Sequence, residues 1–143
     1  MKSKIAAVFS AVVLTLSLSG CAVTDTDNMP SDNTSEESVI NYQQISQDEA
    51  AEMMQKDDGH IILDVRRPDE FSEGHIPDAI CIPNESITDS MPEQLPDKDA
   101  VILVYCRSGN RSKQAAQKLA DMGYTNVYEF GGILSWQGEI TTE

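Results

Sequence analysis

The chain has 143 residues, of which 40% are hydrophobic, and its 24 acidic and 10 basic side chains give a net charge of −14. This length allows one domain of ordinary size together with a tail. Nucleic acids bind to basic surfaces, so the acidic balance argues against nucleic acid as a partner. Three cysteines are too few for a disulfide scaffold, and their spacing matches no zinc site.

Residues 1–20 are predicted to be a targeting segment. Lys2 and Lys4 supply positive charge, and a mainly apolar run of 14 residues extends from Ile5 to Leu18. A bilayer span needs about 20 residues, whereas the hydrophobic region of a signal peptide has about 7–15. The alternative, a buried helix of the domain, fits poorly because the run has no polar face.

The end of this run, Leu18-Ser19-Gly20-Cys21, resembles the lipobox of bacterial lipoproteins. The resemblance implies that the Cys21 thiol carries a diacylglycerol thioether and becomes the new N-terminus after cleavage. Two or more acyl chains anchor a protein stably, at about 0.8 kcal/mol per buried methylene. We therefore expect an extracytoplasmic protein that is lipid-anchored to a bacterial membrane through Cys21. An ordinary secreted protein with a free Cys21 thiol is the alternative.

Residues 21–39 are predicted to form a flexible acidic tether that precedes a domain over residues 40–143. Thirteen of the 17 residues from Ala22 to Ser38 are Ser, Thr, Asp, Asn or Glu. Such a segment buries too little apolar area to offset its ordering entropy. A flexible chain of this length spans roughly 20–25 Å.

Helix and strand patterns alternate through residues 40–143. Ser46 and Glu49 fit a capping box that begins a helix running to about Lys56. Strands are predicted at 61–65, 79–82, 101–105 and 127–130, and a second helix at 111–122. The run 101–105 is apolar throughout, as expected for a strand that is covered on both faces. The pattern predicts an α/β domain with a mostly parallel central sheet flanked by helices.

A reactive site is expected in the loop of residues 106–112, between the central strand and the second helix. Ligands of open α/β sheets bind beyond the carboxyl ends of the strands. Cys106 would lie at a helix N-terminus, whose N–H groups and partial positive charge favour the nucleophilic thiolate. Arg107 and Arg111 add positive charge, and Gly109 permits a tight turn. The competing interpretation is a buried structural cysteine that is followed by an exposed polar turn.

Three groups of motifs resemble those of the rhodanese domain and stand in the same order, and the match covers roughly residues 43–138. They are Leu63-Asp64-Val65-Arg66 with Pro68, Glu70, Phe71, Gly74-His75-Ile76-Pro77, Ala79, Ile82 and Pro83; residues 106–112; and Gly123-Tyr124, Asn126-Val127, Gly131-Gly132 and Trp136. The resemblance implies a small rhodanese-like α/β domain that acts as a sulfurtransferase. Asp78 departs from the pattern, because glycine is common at that position of the family.

The resemblance also implies roles for the loop. Cys106 would take a sulfane sulfur from an anionic donor such as thiosulfate and pass it, as a persulfide, to a thiophilic acceptor. The acceptor would be a small molecule such as cyanide or a protein thiol. The expected substrate-binding residues are Arg107, Ser108, Gly109, Asn110, Arg111 and Ser112, with the backbone N–H groups holding the developing anion. Ser108, Asn110 and Ser112 are also expected to satisfy loop groups or cap the helix. The family needs no metal or organic cofactor.

Three alternatives to a sulfurtransferase stay open. Cysteine phosphatases have five residues between cysteine and arginine, whereas four separate Cys106 from Arg111, a tighter ring that suits one sulfur atom better than phosphate. A rhodanese-like sulfur-binding or sensing module with little turnover is the second alternative. The third is a thiol-redox protein that uses Cys106 with Cys81, although Cys81 is expected to be a buried structural residue.

Four further residues are assigned to the fold rather than to chemistry. Asp64 and Arg66 are expected to form a structural pair that ties adjacent loops, with Glu70 as an alternative partner. His75 is not nominated as a general base, because it resembles a family position that serves the fold. Trp136 is expected to belong to the core.

Overall fold

The computed structural model describes residues 42–143. The predicted targeting segment, the tether and Cys21 lie outside the described residues. Within residues 42–143, no helix has both the length and the apolar character that a membrane span would need.

Within residues 42–143, five parallel strands form one sheet in the order β1-β5-β4-β2-β3, with β4 at its centre. The strands are β1 (Gln43–Gln44), β2 (Ile61–Asp64), β3 (Ile80–Cys81), β4 (Val101–Cys106) and β5 (Asn126–Gly132). The predicted parallel α/β architecture is therefore confirmed, and four of its strands lie where the sequence predicts them. The two-residue strand β1 was not predicted.

In the part of the chain that the structure describes, three helices flank the sheet: α1 (Gln47–Met54), α2 (Pro68–Glu73) and α3 (Asn110–Asp121). Short 3-10 turns lie at Asn84–Ser86 and Ile133–Ser135. Helix α1 begins with the predicted capping box, in which the Glu49 carboxylate accepts from the Ser46 N–H at 2.8 Å. Helix α2 was not predicted, because its six residues are too few to show a helical repeat of apolar side chains.

Strand β4 is covered on both faces, as its unbroken apolar sequence predicts. Alternate side chains of a strand point to opposite faces of the sheet. On one face the β4 residues Ile102, Val104 and Cys106 pack in a core cluster that includes the buried alanines and leucine of α3. On the other face Leu103 and Tyr105 pack in a second cluster with Ala50 of α1. Cys106 therefore belongs to the α3 side of the sheet.

A buried ion pair fastens the carboxyl end of β2. The Arg66 Nη2 atom lies 2.6 Å from one Asp64 carboxylate oxygen and also donates to the Gly74 carbonyl at 2.7 Å. Both side chains are almost fully buried, at 7% and 0% exposure. The predicted structural pair of Asp64 and Arg66 is confirmed, but Glu70 is not its partner, because Glu70 binds Arg111 instead.

Three residues singled out in the sequence serve the fold. The His75 ring stacks on Phe71 at 3.7 Å and its nitrogens contact backbone carbonyl oxygens, in agreement with a structural role. Trp136 is half-buried and packs near Phe130 at 5.7 Å between ring centroids. Asp78 has a φ of +63°, in the left-handed region. This backbone geometry explains why the rhodanese pattern favours glycine there.

Candidate active site

The loop that joins β4 to α3 encloses the Cys106 thiol. Cys106 is the last residue of β4, and its side chain is only 1% exposed. Gly109, at the N-cap position of α3, has a φ of +97°, which turns the chain back toward the cysteine. The Gly109 N–H then donates to Cys106 Sγ at 3.1 Å. The predicted nucleophile thus lies inside a curled loop at the carboxyl end of the central strand.

Hydrogen bonds shift the Cys106 thiol toward its charged form. Burial is the largest single influence and raises the pKa of Cys106. Hydrogen bonds from the Ser112 side chain and from the N–H groups of Ser112, Ser108 and Gly109 together outweigh burial, so the net pKa is lowered. Lowering the pKa raises the thiolate fraction, and the thiolate is the reactive form of cysteine.

The two arginines of the loop have different environments. Arg111 binds Glu70 through two hydrogen bonds, Nη1 to Oε2 at 2.6 Å and Nη2 to Oε1 at 2.9 Å. The hydrogen bond from Arg111 is the main reason that the pKa of Glu70 falls from 4.5 to about 2. Arg107 is exposed at the surface. Because both terminal nitrogens of the Arg111 guanidinium already donate to Glu70, Arg107 is better placed than Arg111 to bind an anion from solvent.

The three polar residues expected to support the loop are placed differently. Ser112 is fully buried, and its hydroxyl lies 3.0 Å from the Gly109 carbonyl oxygen and 2.6 Å from Glu129 Oε1. Ser108 and Asn110 are exposed, and no side chain caps α3. Of the three residues expected to satisfy loop groups or cap the helix, Ser112 hydrogen-bonds to a loop carbonyl, and neither Ser108 nor Asn110 caps α3. Gly109 occupies the capping position, which lets the chain fold tightly over the thiol.

Strand β5 contributes two residues that sequence reasoning missed. Glu129 is buried and accepts from the Gly131 N–H at 2.9 Å as well as contacting Ser112. A Cβ atom on Gly132 would lie 2.3 Å from the Arg107 carbonyl oxygen and 2.5 Å from Ser108 Cα. The Gly131-Gly132 pair was a visible signal of close backbone approach, whereas nothing local marks Glu129 as part of the site.

Cys81 lies apart from the candidate nucleophile. It pairs in register with Asp64, which in turn pairs with Tyr105, so two strand spacings separate Cys81 from β4. Two spacings amount to about 10 Å, beyond the roughly 7 Å between Cα atoms that a disulfide allows. Tyr105 packs on the α1 side of the sheet, whereas Cys106 packs on the α3 side. A Cys81–Cys106 bridge would require the sheet to open.

Cys81 is also less buried than the sequence predicted. It is a free cysteine that is half-buried, and burial is the main cause that raises the pKa of its thiol. This direction opposes the lowered pKa of Cys106, so the two thiols differ in reactivity. The geometry gives no support to a redox pair of Cys81 with Cys106.

Residues of the loop line cavities in the described part of the chain. One of about 260 Å³ is lined by Arg66, Glu70, Glu73, Arg107, Ile133 and Leu134. The other, of about 360 Å³, has Ser108, Gly109, Glu129 and Gly132 among its lining residues. Leu134, beside the first cavity, is 70% exposed and its N–H donates to the Arg107 carbonyl at 3.2 Å. Small reactants therefore have space next to residues of the loop.

The fold and the loop together define an α/β domain with a buried cysteine at the carboxyl end of its central strand. The sulfur of this cysteine accepts a hydrogen bond from a backbone N–H group. Comparison with protein families matches residues 46–139 to the rhodanese-like domain. The chain therefore belongs to the rhodanese-like family, as its motifs indicate.

Several relatives are named for their activity. The chain is 38% identical over 71 residues to thiosulfate sulfurtransferase PspE of Escherichia coli strain K12, a match that covers 50% of this chain and 68% of the relative. It is 34% identical over 103 residues to thiosulfate sulfurtransferase GlpE of Pseudomonas putida, and this match covers 71% of this chain and 91% of the relative. These relatives place the chain in the sulfurtransferase superfamily.

Solved structures agree with the fold. A rhodanese-related protein from Thermoplasma volcanium is 30% identical with a TM-score of 0.61, and the match covers 71% of this chain and all of that one (100%). The structure described as rhodanese with anions from E. coli is 32% identical with a TM-score of 0.54. That match covers 59% of this chain and 99% of the other.

Proposed function

We propose that the protein is a sulfurtransferase that moves a sulfane sulfur from an anionic donor such as thiosulfate to a thiophilic acceptor. The observation that carries the proposal is the hydrogen bonding of Cys106, whose Sγ accepts from the Gly109 N–H inside the curled loop. The names of the relatives PspE and GlpE support thiosulfate as a donor.

The proposed reaction has two steps with Cys106 as carrier. The Cys106 thiolate attacks the outer sulfur of thiosulfate, an Sγ–S bond forms, and sulfite leaves with the electrons of the broken S–S bond. An acceptor such as cyanide or a thiolate then attacks the outer sulfur of the persulfide. The Sγ–S bond breaks and its electrons return to Cys106 as the thiolate. The loop N–H groups would stabilise negative charge on sulfur in both steps.

The state of Arg111 supports sulfur transfer over phosphate hydrolysis. A phosphate dianion is bound best by a free arginine fork that offers two parallel N–H donors. Here both terminal nitrogens of Arg111 donate to Glu70. The loop between Cys106 and Arg111 is also short, with four residues.

The test is turnover of thiosulfate by the purified full chain with cyanide, several thiols or no acceptor. We expect sulfite and thiocyanate to form in equal amounts over many turnovers, because cyanide regenerates the Cys106 thiolate. Release of only one sulfite per chain, with any acceptor, would instead identify a sulfur-binding module. Absence of sulfite and of sulfur on the protein would contradict the proposal.

We also propose that the chain is lipid-anchored to a bacterial membrane through Cys21, because Leu18-Ser19-Gly20-Cys21 follows an apolar run. In cells that are fed a labelled fatty acid, the full chain should become labelled and should pellet with membranes. Cys21→Ser should remove both properties, whereas Cys81→Ala, the matched control, should keep them. Labelling that persists in Cys21→Ser would contradict the anchor.

A further inference from the structure

An ion pair between α2 and α3 engages one arginine of the Cys106 loop. Two hydrogen bonds form it, from Arg111 Nη1 to Glu70 Oε2 at 2.6 Å and from Nη2 to Oε1 at 2.9 Å. The side chains of Arg111 and Glu70 are part-buried, at 25% and 21% exposure. The hydrogen bond from Arg111 lowers the pKa of Glu70 to about 2, so the carboxylate is ionised at neutral pH. A pair with two parallel hydrogen bonds is stronger and better fixed than an ordinary surface pair.

Glu70 is held in place by the structure of its own helix. Its Oε2 atom also accepts from the Arg67 N–H, at the start of α2, at 3.2 Å. The other end of α2 is fastened at Gly74, whose carbonyl oxygen accepts from Arg66 Nη2 at 2.7 Å. Arg66 is itself bound to the buried Asp64 carboxylate. The fold therefore presents the Glu70 carboxylate to Arg111 from a helix that is anchored at both ends.

Arg111 lies where a free guanidinium would bind tetrahedral oxyanions. It is in the first turn of α3, two residues after Gly109, whose N–H donates to Cys106 Sγ. A helix N-terminus that carries a free arginine is a typical site for phosphate or sulfate. Thiosulfate and sulfite, the donor and the product of the proposed reaction, are oxyanions too. An oxyanion retained by Arg111 would hinder the approach of the next donor to the thiol.

Two other charged residues share a cavity with Glu70 and differ from it in their contacts. Glu73 lies on the same helix and Arg107 on the Cys106 loop, and both line the cavity of about 260 Å³. Both are exposed, and none of the ion pairs within residues 42–143 includes either of them. Arg107 is thus available to an incoming anion, and Glu73 carries the charge of Glu70 without its contact to Arg111.

We propose that Glu70 is a specificity-determining residue that prevents Arg111 from retaining oxyanions at the Cys106 loop. Its carboxylate binds both terminal nitrogens of the guanidinium, and its negative charge repels a second anion from them. The loop then attracts the donor through Arg107 and its backbone N–H groups, and it releases sulfite. The inference rests on the proposed function, because it concerns the oxyanions of that reaction.

The test measures anion binding and does not need sulfur transfer. Inorganic phosphate is the probe, because it is a tetrahedral oxyanion that contains no sulfur. The purified full chain is treated with iodoacetamide at several phosphate concentrations, with the ionic strength held constant by potassium chloride. Peptide mapping gives the rate of Cys106 alkylation, and the phosphate concentration that halves this rate measures binding at the loop. Absence of turnover together with the expected phosphate response would count against the proposed function alone.

Glu70→Gln should lower this phosphate concentration about tenfold, as expected when a charge-assisted hydrogen bond becomes available. Glutamine matches glutamate in size and keeps an oxygen for the Arg67 N–H, but it has no charge to hold Arg111 or repel phosphate. Glu73→Gln is the matched control, because it removes one carboxylate from the same helix and cavity. An exposed charge is screened by salt, so Glu73→Gln should change the value by less than about twofold. An equal fall in both variants would overturn the proposal.

A double variant identifies the group that binds phosphate. Glu70→Gln combined with Arg111→Gln has the net charge of the parent but no guanidinium at this position, so the phosphate concentration should return to the parental value. Tighter phosphate binding that persists in the double variant would overturn the proposal, because Arg111 would not be its source. Urea unfolding of each variant checks that the domain is folded. An unchanged phosphate concentration in a folded Glu70→Gln variant would also overturn the proposal.

Discussion

Cys106→Ser is expected to abolish sulfur transfer while leaving the fold intact. Serine is close in size to cysteine, and the site that it would occupy is already formed by the end of β4 and the turn at Gly109. A serine hydroxyl is not ionised near neutral pH and forms no persulfide. After incubation with thiosulfate, intact-mass analysis of the full chain should show a gain of about 32 Da, one sulfur atom, in the parent protein and none in Cys106→Ser.

Cys81→Ala is the matched control, because Cys81 is the other free cysteine among residues 42–143. It lies two strands from β4 and on the opposite face, so Cys81→Ala should keep both the added mass and the turnover. Loss of a half-buried thiol should lower the free energy of unfolding by only about 1 kcal/mol. A sulfur adduct on Cys106→Ser, or its loss in Cys81→Ala, would contradict the assignment of the nucleophile.

Gly132→Ala is expected to reduce turnover by about 100-fold or more. The added methyl group would lie 2.3 Å from the Arg107 carbonyl oxygen and 2.5 Å from Ser108 Cα. Ordinary carbon contacts are about 3.5–4.0 Å, so the loop backbone would have to move by about 1 Å. A displacement of this size next to a nucleophile can slow a reaction about 100-fold. Both displaced residues directly follow Cys106, so the N–H groups around Sγ would move with them.

Gly59→Ala provides the control for adding a methyl group. Gly59 has a φ of +75°, but nothing lies within 4 Å of the position of its Cβ. This variant should lose about 1–2 kcal/mol of stability through backbone strain, and its turnover should stay near the parent value. Urea unfolding, measured beside thiosulfate turnover, separates the two effects. Full activity in a folded Gly132→Ala variant would show that the loop does not depend on this close approach.

Much of the fold was predictable because its signals are local. The capping box of Ser46 and Glu49 lies within one turn of α1 and needs no distant partner. The sequence of β4 is apolar at every position, which predicts burial on both faces of the strand. In the structure its alternate side chains pack in two different core clusters. Cys106 and Gly109 are likewise three residues apart, so the sequence already indicates a turn over the thiol.

The tertiary structure decided which distant groups surround that turn. Glu70 lies 41 residues from Arg111 in sequence, and their pairing depends on where α2 packs beside the loop. Glu129 lies 17 residues from Ser112 and reaches it only because β5 pairs with β4. Strand β1 shows the same dependence, because its two exposed glutamines become a strand only by pairing with β5.

The sequence alone thus determined the family motifs, the order of the main elements and the identity of the candidate nucleophile, all of which are written in neighbouring residues. Strand order and register decided that Cys81 faces away from Cys106, that Arg111 is held by Glu70 and that Gly132 supports the loop. These contacts join residues far apart along the chain, and chain connectivity does not specify which of them meet. Packing of the two cores against the sheet and the pairing register of the strands bring them together.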